Sequence, residues 1–168
     1  MRRILSVLLE NEPGALSRIV GLFSQRAFNI DSLNVSPTDD PTLSRITLTT
    51  FGDDQVLEQI TKQVNKLVDV LRVSDLTERQ HIEREIALVK VLAMNVKTRN
   101  EVKRLTDIFR ADIIDVGKQI YTVQITGDDN KISSFIDIMA NETDIIEVVR
   151  SGAVGIARGE KALRASFR

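Results

Sequence analysis

Cysteine and tryptophan are absent from the 168 residues, and histidine occurs once. Without cysteine there is no disulfide, no thiolate metal ligand and no cysteine nucleophile. Aromatic residues make up 4% of the chain, too few for a surface that stacks bases. The formal net charge of −1 supplies no basic field to hold nucleic acid. No stretch approaches the roughly 18 apolar residues of a membrane span. The opening segment MRRILSVLLENEPG carries two arginines and a short apolar run but no small-residue cleavage site. It reads as a first strand rather than a signal peptide. These absences point to a cytoplasmic protein that binds neither nucleic acid nor membrane.

Apolar residues are present at an ordinary 42%, and their spacing is informative. Segments 2–9, 28–35, 44–51 and 69–76 are rich in Ile, Val, Leu and Thr and read as strands. Segment 13–26 places Leu16, Ile19, Val20 and Phe23 at i, i+3, i+4 and i+7, one helical stripe. A second helix follows Gly52-Asp53, with Val56, Ile60, Val64 and Leu67 on one face. The order is βαββαβ, a ferredoxin-like split arrangement.

The polar stretch TERQHIERE, residues 77–85, reads as a linker, and beyond it the pattern returns. Strands are expected over 86–94, 112–117, 119–127 and 144–152, and helices over 100–110 and 130–140. The repeat of roughly 84 residues suits a duplicated small domain rather than a solenoid unit. The expected fold is therefore α+β, with two tandem ferredoxin-like domains: 1–76, a linker over 77–85, 86–152, and a basic tail over 153–168. Cleavage near Arg79 or Arg84 is expected to release a folded N-terminal fragment. Domains of about 75 residues sit near the lower limit for a self-sufficient core. The first strand is apolar on both faces, Leu5, Val7 and Leu9 alternating with Ile4 and Leu8. A second copy or the sister domain is expected to cover the face that the helices leave open.

Most candidate chemistry reduces to local structure. His81 lies in the charged linker with no acid or nucleophile placed to partner it. Asp39-Asp40 stands between Pro37 and Pro41, where Asp serves a tight loop. Asp53-Asp54 and Asp128-Asp129 sit where helices begin. No phosphate-binding glycine loop, nucleophile elbow or zinc spacing occurs, so nothing argues that this chain is itself an enzyme, and no metal or catalytic residue is expected.

With only three prolines in the chain, Pro13-Gly14 stands out. Pro suits the first helical position, whereas Gly costs roughly 1 kcal/mol in a helix relative to Ala. The N–H groups of Gly14, Ala15 and Leu16 fall at the positive end of the helix dipole, a place for a carboxylate or phosphate. Asn11, just before, offers an amide that both donates and accepts. This arrangement suits a small zwitterion; alternatively Asn11 and Gly14 simply shape a tight strand-to-helix turn.

The segments RRILSVLLENEPGALSRIVGLFSQR, NIDSLNVSPTDDPTLSRITL, KQVNKLVDVLRVSDL, EREIALVKV and GIARG together resemble the regulatory (small) subunits of acetohydroxyacid synthase, also called acetolactate synthase, whose first half is an ACT domain. The resemblance runs over nearly the whole chain. It implies a non-catalytic partner of a large subunit that uses thiamine diphosphate, Mg²⁺ and FAD to condense pyruvate with pyruvate or 2-oxobutyrate. It further implies that the small subunit raises this activity and confers feedback inhibition by L-valine, bound where two ACT domains form a homodimer. The family's effector positions match Asn11, Gly14, Ala15 and Leu16, with Asn29 and Ile30 facing them from the other chain. At Ala27-Phe28 the family often has Gly and Tyr. The alternative is a free-standing ACT-type amino-acid sensor with a different partner. An RNA-binding domain of the same βαββαβ order is disfavoured, because LSRITLTTF provides one terminal Phe51 and one Arg45.

Overall fold

The computed structural model describes residues 1–165. The described residues form two compact units, one comprising 1–83 and 152–165, the other 84–151. In the first unit the order is β1 (Arg2–Glu10), α1 (Ala15–Gln25), β2 (Ile30–Pro37), β3 (Leu43–Phe51), α2 (Asp54–Val64) and β4 (Val70–Asp75). Its antiparallel sheet has the order β2-β3-β1-β4. Strand β5 (His81–Leu92) leads into the second unit, with α3 (Val96–Ile108), β6 (Asp112–Val116), β7 (Ile120–Gly127), α4 (Asp129–Glu142) and β8 (Ile145–Arg150). Its sheet order is β6-β7-β5-β8. Both repeats are thus the α+β, ferredoxin-like arrangement that the strand and helix spacing predicts.

Each sheet buries one face under its two helices. In the first unit Leu5, Val7 and Leu9 of β1 and Ile46 and Leu48 of β3 pack with Ala15, Ile19 and Phe23 of α1 and Ile60 and Val64 of α2. The α1 stripe is rotated slightly from the expected one: Ala15 is buried and Val20 is exposed. On α2, Leu57 is buried and Val56 only partly so. In the second unit Ala87, Val89, Val91, Val123 and Ile125 meet Val102 and Leu105 of α3 and Ile132, Phe135 and Met139 of α4. Phe109 meets Phe135 edge to face, centroids 5.3 Å apart.

Two expectations are corrected. The stretch 77–85 is strand from His81 onward. Its charged residues are ordered because they are paired: Glu83 with Arg2 at 3.1 Å, and Glu85 with Arg150 at 2.7 Å. Of the expected tail over 153–168, residues 166–168 lie outside the described residues, and the stretch 153–165 is more than a tail. It belongs to the first unit, and Val154–Ala157 forms a ninth strand, β9, that pairs with the beginning of β5. The Arg158 N–H donates to the Gln80 carbonyl at 2.9 Å.

This return supplies the cover expected from a second copy or the sister domain. The face of the first sheet opposite its helices is lined largely by small polar side chains, including Ser6, Ser32, Asn34, Thr47 and Thr49. Short side chains let a backbone approach closely. Asn34 Nδ2 donates to the Ala153 carbonyl at 3.1 Å, and Arg45 Nη2 to the Gly155 carbonyl at 2.9 Å. Beside them Ile4 and Leu76 are 2% and 1% exposed, which explains why β1 is buried on both faces.

Candidate functional site

The junction between β1 and α1 is the feature the sequence singles out, and its geometry differs from the expected one. The helix starts at Ala15, not Pro13. Gly14 is the residue just before it, at φ +87°, a left-handed conformation that side chains resist. Glycine is therefore favoured there by the turn itself, in addition to any need for open space. The Ala15 N–H is taken by the Glu12 carbonyl at 3.2 Å. The N–H groups of Gly14 and Leu16 have no hydrogen-bond acceptor among the described residues, and no side chain caps the helix. They remain at the positive end of the dipole.

A second positive group stands there that sequence reasoning missed. Arg18 Nη1 lies 3.2 Å from the position that a Cβ on Gly14 would occupy. Arg18 is held by Asp69, Nη2 to Oδ1 at 2.8 Å with Nε on the other oxygen. Asp69 is 6% exposed, and its carbonyl accepts the Glu10 N–H at 2.8 Å. The pair thus ties α1 to the end of β1 and points a cation at Gly14. The sole signal for this in the sequence is Arg18 four residues after Gly14, one helical turn on.

Hydrogen bonds from Arg18 hold the Asp69 carboxyl below the usual carboxylate range, against an opposing effect of desolvation. A depressed native pKa stabilises the fold above the unfolded value of about 3.9, and that contribution disappears as pH falls through the lower native value. The urea midpoint of the first unit is expected to drop on acidification below about pH 4, with a shallower drop in Asp69→Asn. Parallel pH curves for the two proteins would remove Asp69 as the source.

Asn11 is engaged by the β2–β3 loop. Its Nδ2 donates to the Pro41 carbonyl and its Oδ1 accepts from Ser44 Oγ, both at 3.0 Å, and its N–H donates to the Thr42 carbonyl. The amide retains a second proton and a second lone pair. Asn29 and Ile30 are not brought to this place. Ile30 pairs with Thr50, which pairs with Arg3, whereas Gly14 follows Glu10 at the other end of β1. Seven residues of strand separate these levels, about 24 Å. One chain cannot close a site with both sets.

The remaining acidic candidates are structural. Asp40 Oδ1 accepts from the Thr42 N–H and hydroxyl at 2.9 and 2.7 Å, shaping the loop. The Asp53 and Asp128 side chains accept from the Gln55 and Lys131 N–H groups at the starts of α2 and α4. His81 Nδ1 lies 2.9 Å from the Arg79 carbonyl. Among the described residues no group of three or more His, Cys, Asp or Glu is gathered to hold a metal, and no helix is long and apolar enough to cross a membrane.

Comparison with known proteins settles the family. Residues 5–72 match the model for the AHAS small subunit-like ACT domain, and residues 84–159 that for the small subunit of acetolactate synthase. The acetolactate synthase small subunit of Haemophilus influenzae is 61% identical over 161 residues, covering 96% of this chain and 98% of that one. The chain belongs to the acetolactate synthase small subunit family. Another member, the isozyme 3 small subunit of Escherichia coli, is 60% identical across 98% of this chain and 100% of its own. The crystal structure of the acetolactate synthase small subunit from Thermotoga maritima superposes with a TM-score of 0.83 at 36% identity, covering 96% of this chain and 99% of that one. Small-subunit membership gives the chain a regulatory, non-catalytic role beside a large catalytic subunit.

Proposed function

We propose that this small subunit raises the activity of its thiamine diphosphate-dependent catalytic partner and makes it sensitive to L-valine. The observation that carries the reading is the anion-ready end of α1, with free N–H groups at Gly14 and Leu16 and the Arg18 cation beside them. A valine carboxylate meets these groups, and its ammonium faces the second lone pair of Asn11 Oδ1. Asn29 and Ile30 complete the pocket from a second copy, because the sheet register places them at the far end of the same chain. A two-fold pairing of N-terminal units brings opposite ends together. Thiamine diphosphate, Mg²⁺ and FAD belong to the partner in this scheme.

The test mixes purified chain with the catalytic subunit. The chain alone is expected to turn over no pyruvate, to raise acetolactate formation by the partner, and to make that rate fall with added valine. A partner whose rate ignores the chain, while the chain still binds valine, would favour the free-standing sensor. Within the site, each charge-assisted hydrogen bond is worth about 1.5–3 kcal/mol. Asn11→Ala, which also releases the loop held at Pro41 and Ser44, is expected to weaken valine binding roughly ten- to a hundredfold. Calorimetry checks this, and an unchanged affinity would remove Asn11 from the pocket.

A further inference from the structure

The first unit contains another cationic feature, on the side of the sheet away from its helices. A cavity of about 360 Å³ lies between β4, β9 and the chain that follows β9. Arg45, Arg72, Arg79 and Lys161 line it with the Ser74 hydroxyl, and no carboxylate does so among the described residues. None of the residues of the α1 site contributes.

Arg45 is the informative member. It is half-buried on β3, where Nε donates to Ser6 Oγ and Nη2 to the Gly155 carbonyl, each at 2.9 Å. Both partners are neutral, and no carboxylate lies within ion-pair distance among the described residues. The other half-buried guanidinium groups of this unit are matched: Arg2 with Glu83, and Arg3 with Asp54, Asp75 and Glu78. A cation withdrawn from water without a counter-ion is costly, and burial alone lowers the pKa of Arg45. Two further cations, Arg79 and Lys161, around a cavity within the size range of small-molecule sites make the missing counter-ion a ligand; Arg72 is engaged by the Arg164 carbonyl.

We infer that this cavity binds a small polyanion, a phosphate ester or a di- or tricarboxylate, with Arg45 at its floor and Arg79 and Lys161 at its mouth. Guanidinium forks match phosphate and carboxylate oxygens in pairs, and the three cations Arg45, Arg79 and Lys161 suit a ligand of two or more negative charges. The inference is independent of the valine site.

The experiment is calorimetric titration of the full chain with pyrophosphate and, separately, with citrate, at ionic strength held constant by sodium chloride. Saturable binding of one equivalent per chain is expected. Tighter pyrophosphate binding would identify a phosphate source and tighter citrate binding a polycarboxylate one. The double variant Arg79→Ser/Lys161→Ser removes two exposed side chains and is expected to weaken binding at least tenfold while leaving valine affinity unchanged. Lys97→Ser, an exposed cation on the other unit, is expected to have no effect. Absence of saturable heat with both probes at millimolar concentration would overturn the assignment. Equal weakening by Lys97→Ser would do the same, since binding would then follow net charge rather than the cavity.

Discussion

Gly14→Asp is expected to abolish the proposed inhibition by valine, raising the dissociation constant a hundredfold or more. Three effects add. Any side chain at φ +87° is strained by about 1–2 kcal/mol. The new Cβ falls 3.2 Å from Arg18 Nη1, so the carboxylate is delivered to the cation beside the helix end. The N–H groups of the first turn then face a resident negative charge instead of the effector's. Gly14→Ala carries the first effect alone and is expected to weaken binding by no more than about tenfold. Position 14 is exposed, so far-ultraviolet circular dichroism is expected to show both variants folded. Equal behaviour of the two variants would mean that charge at this position is irrelevant. Undiminished inhibition of Gly14→Asp would move the effector site away from α1.

Gly152→Val is expected to be the most destabilising single change at the return segment, by about 2–5 kcal/mol. Gly152 has φ +78°, and a Cβ there would stand 2.7 Å from Ser32 Cβ, an atom fixed next to its own backbone. Left-handed strain of about 1–2 kcal/mol and overpacking of about 1–3 kcal/mol combine. The substitution lifts the segment that Asn34 and Arg45 hold. Hydrogen exchange at the Ile46 and Leu48 amides reads the effect in the first unit, and Val123 and Ile125 report on the second. Faster exchange confined to the first pair is the expected result; unaltered exchange there would mean that β9 adds little to that unit. The same reasoning revises the fate of a fragment cut near Arg79 or Arg84. Without 152–157 it would expose Ile4 and Leu76, and it is expected to aggregate.

The sequence made the repeated βαββαβ order legible because each element has its own period, and the glycine at position 14 because few other residues tolerate its role. What escaped depends on distant partners. HIERE looked like linker since both of its faces carry charge; Arg2 and Arg150 neutralise Glu83 and Glu85 only once the chain has folded. The start of α3 lay four residues before the expected Asn100, because Asn95 caps a first turn, Val96 to Arg99, without an apolar stripe. β9 is four residues long with a glycine inside, too short for any periodicity. In the candidate site, Arg18 was hidden on the polar side of α1, where an arginine reads as solvated until Asp69 is seen beside it. Ala27 sits at φ +55°, a left-handed conformation uncommon for a residue other than glycine, and nothing in its own letter signals it.

The placement of β9 also sets an order of events during synthesis. Contacts between Asn34 and Ala153 and between Arg45 and Gly155 join residues 119 and 110 positions apart. All of 84–151 must leave the ribosome before they form. The second unit, contiguous in the chain, is complete when Ser151 emerges. The first, although translated earlier, finishes last. Throughout that interval its sheet presents Ile4, Leu8 and Leu76 to solvent, an apolar surface awaiting its strap. Nascent chains are therefore expected to recruit hydrophobic-binding chaperones through the N-terminal sheet, and to release them when residues 152–157 become available.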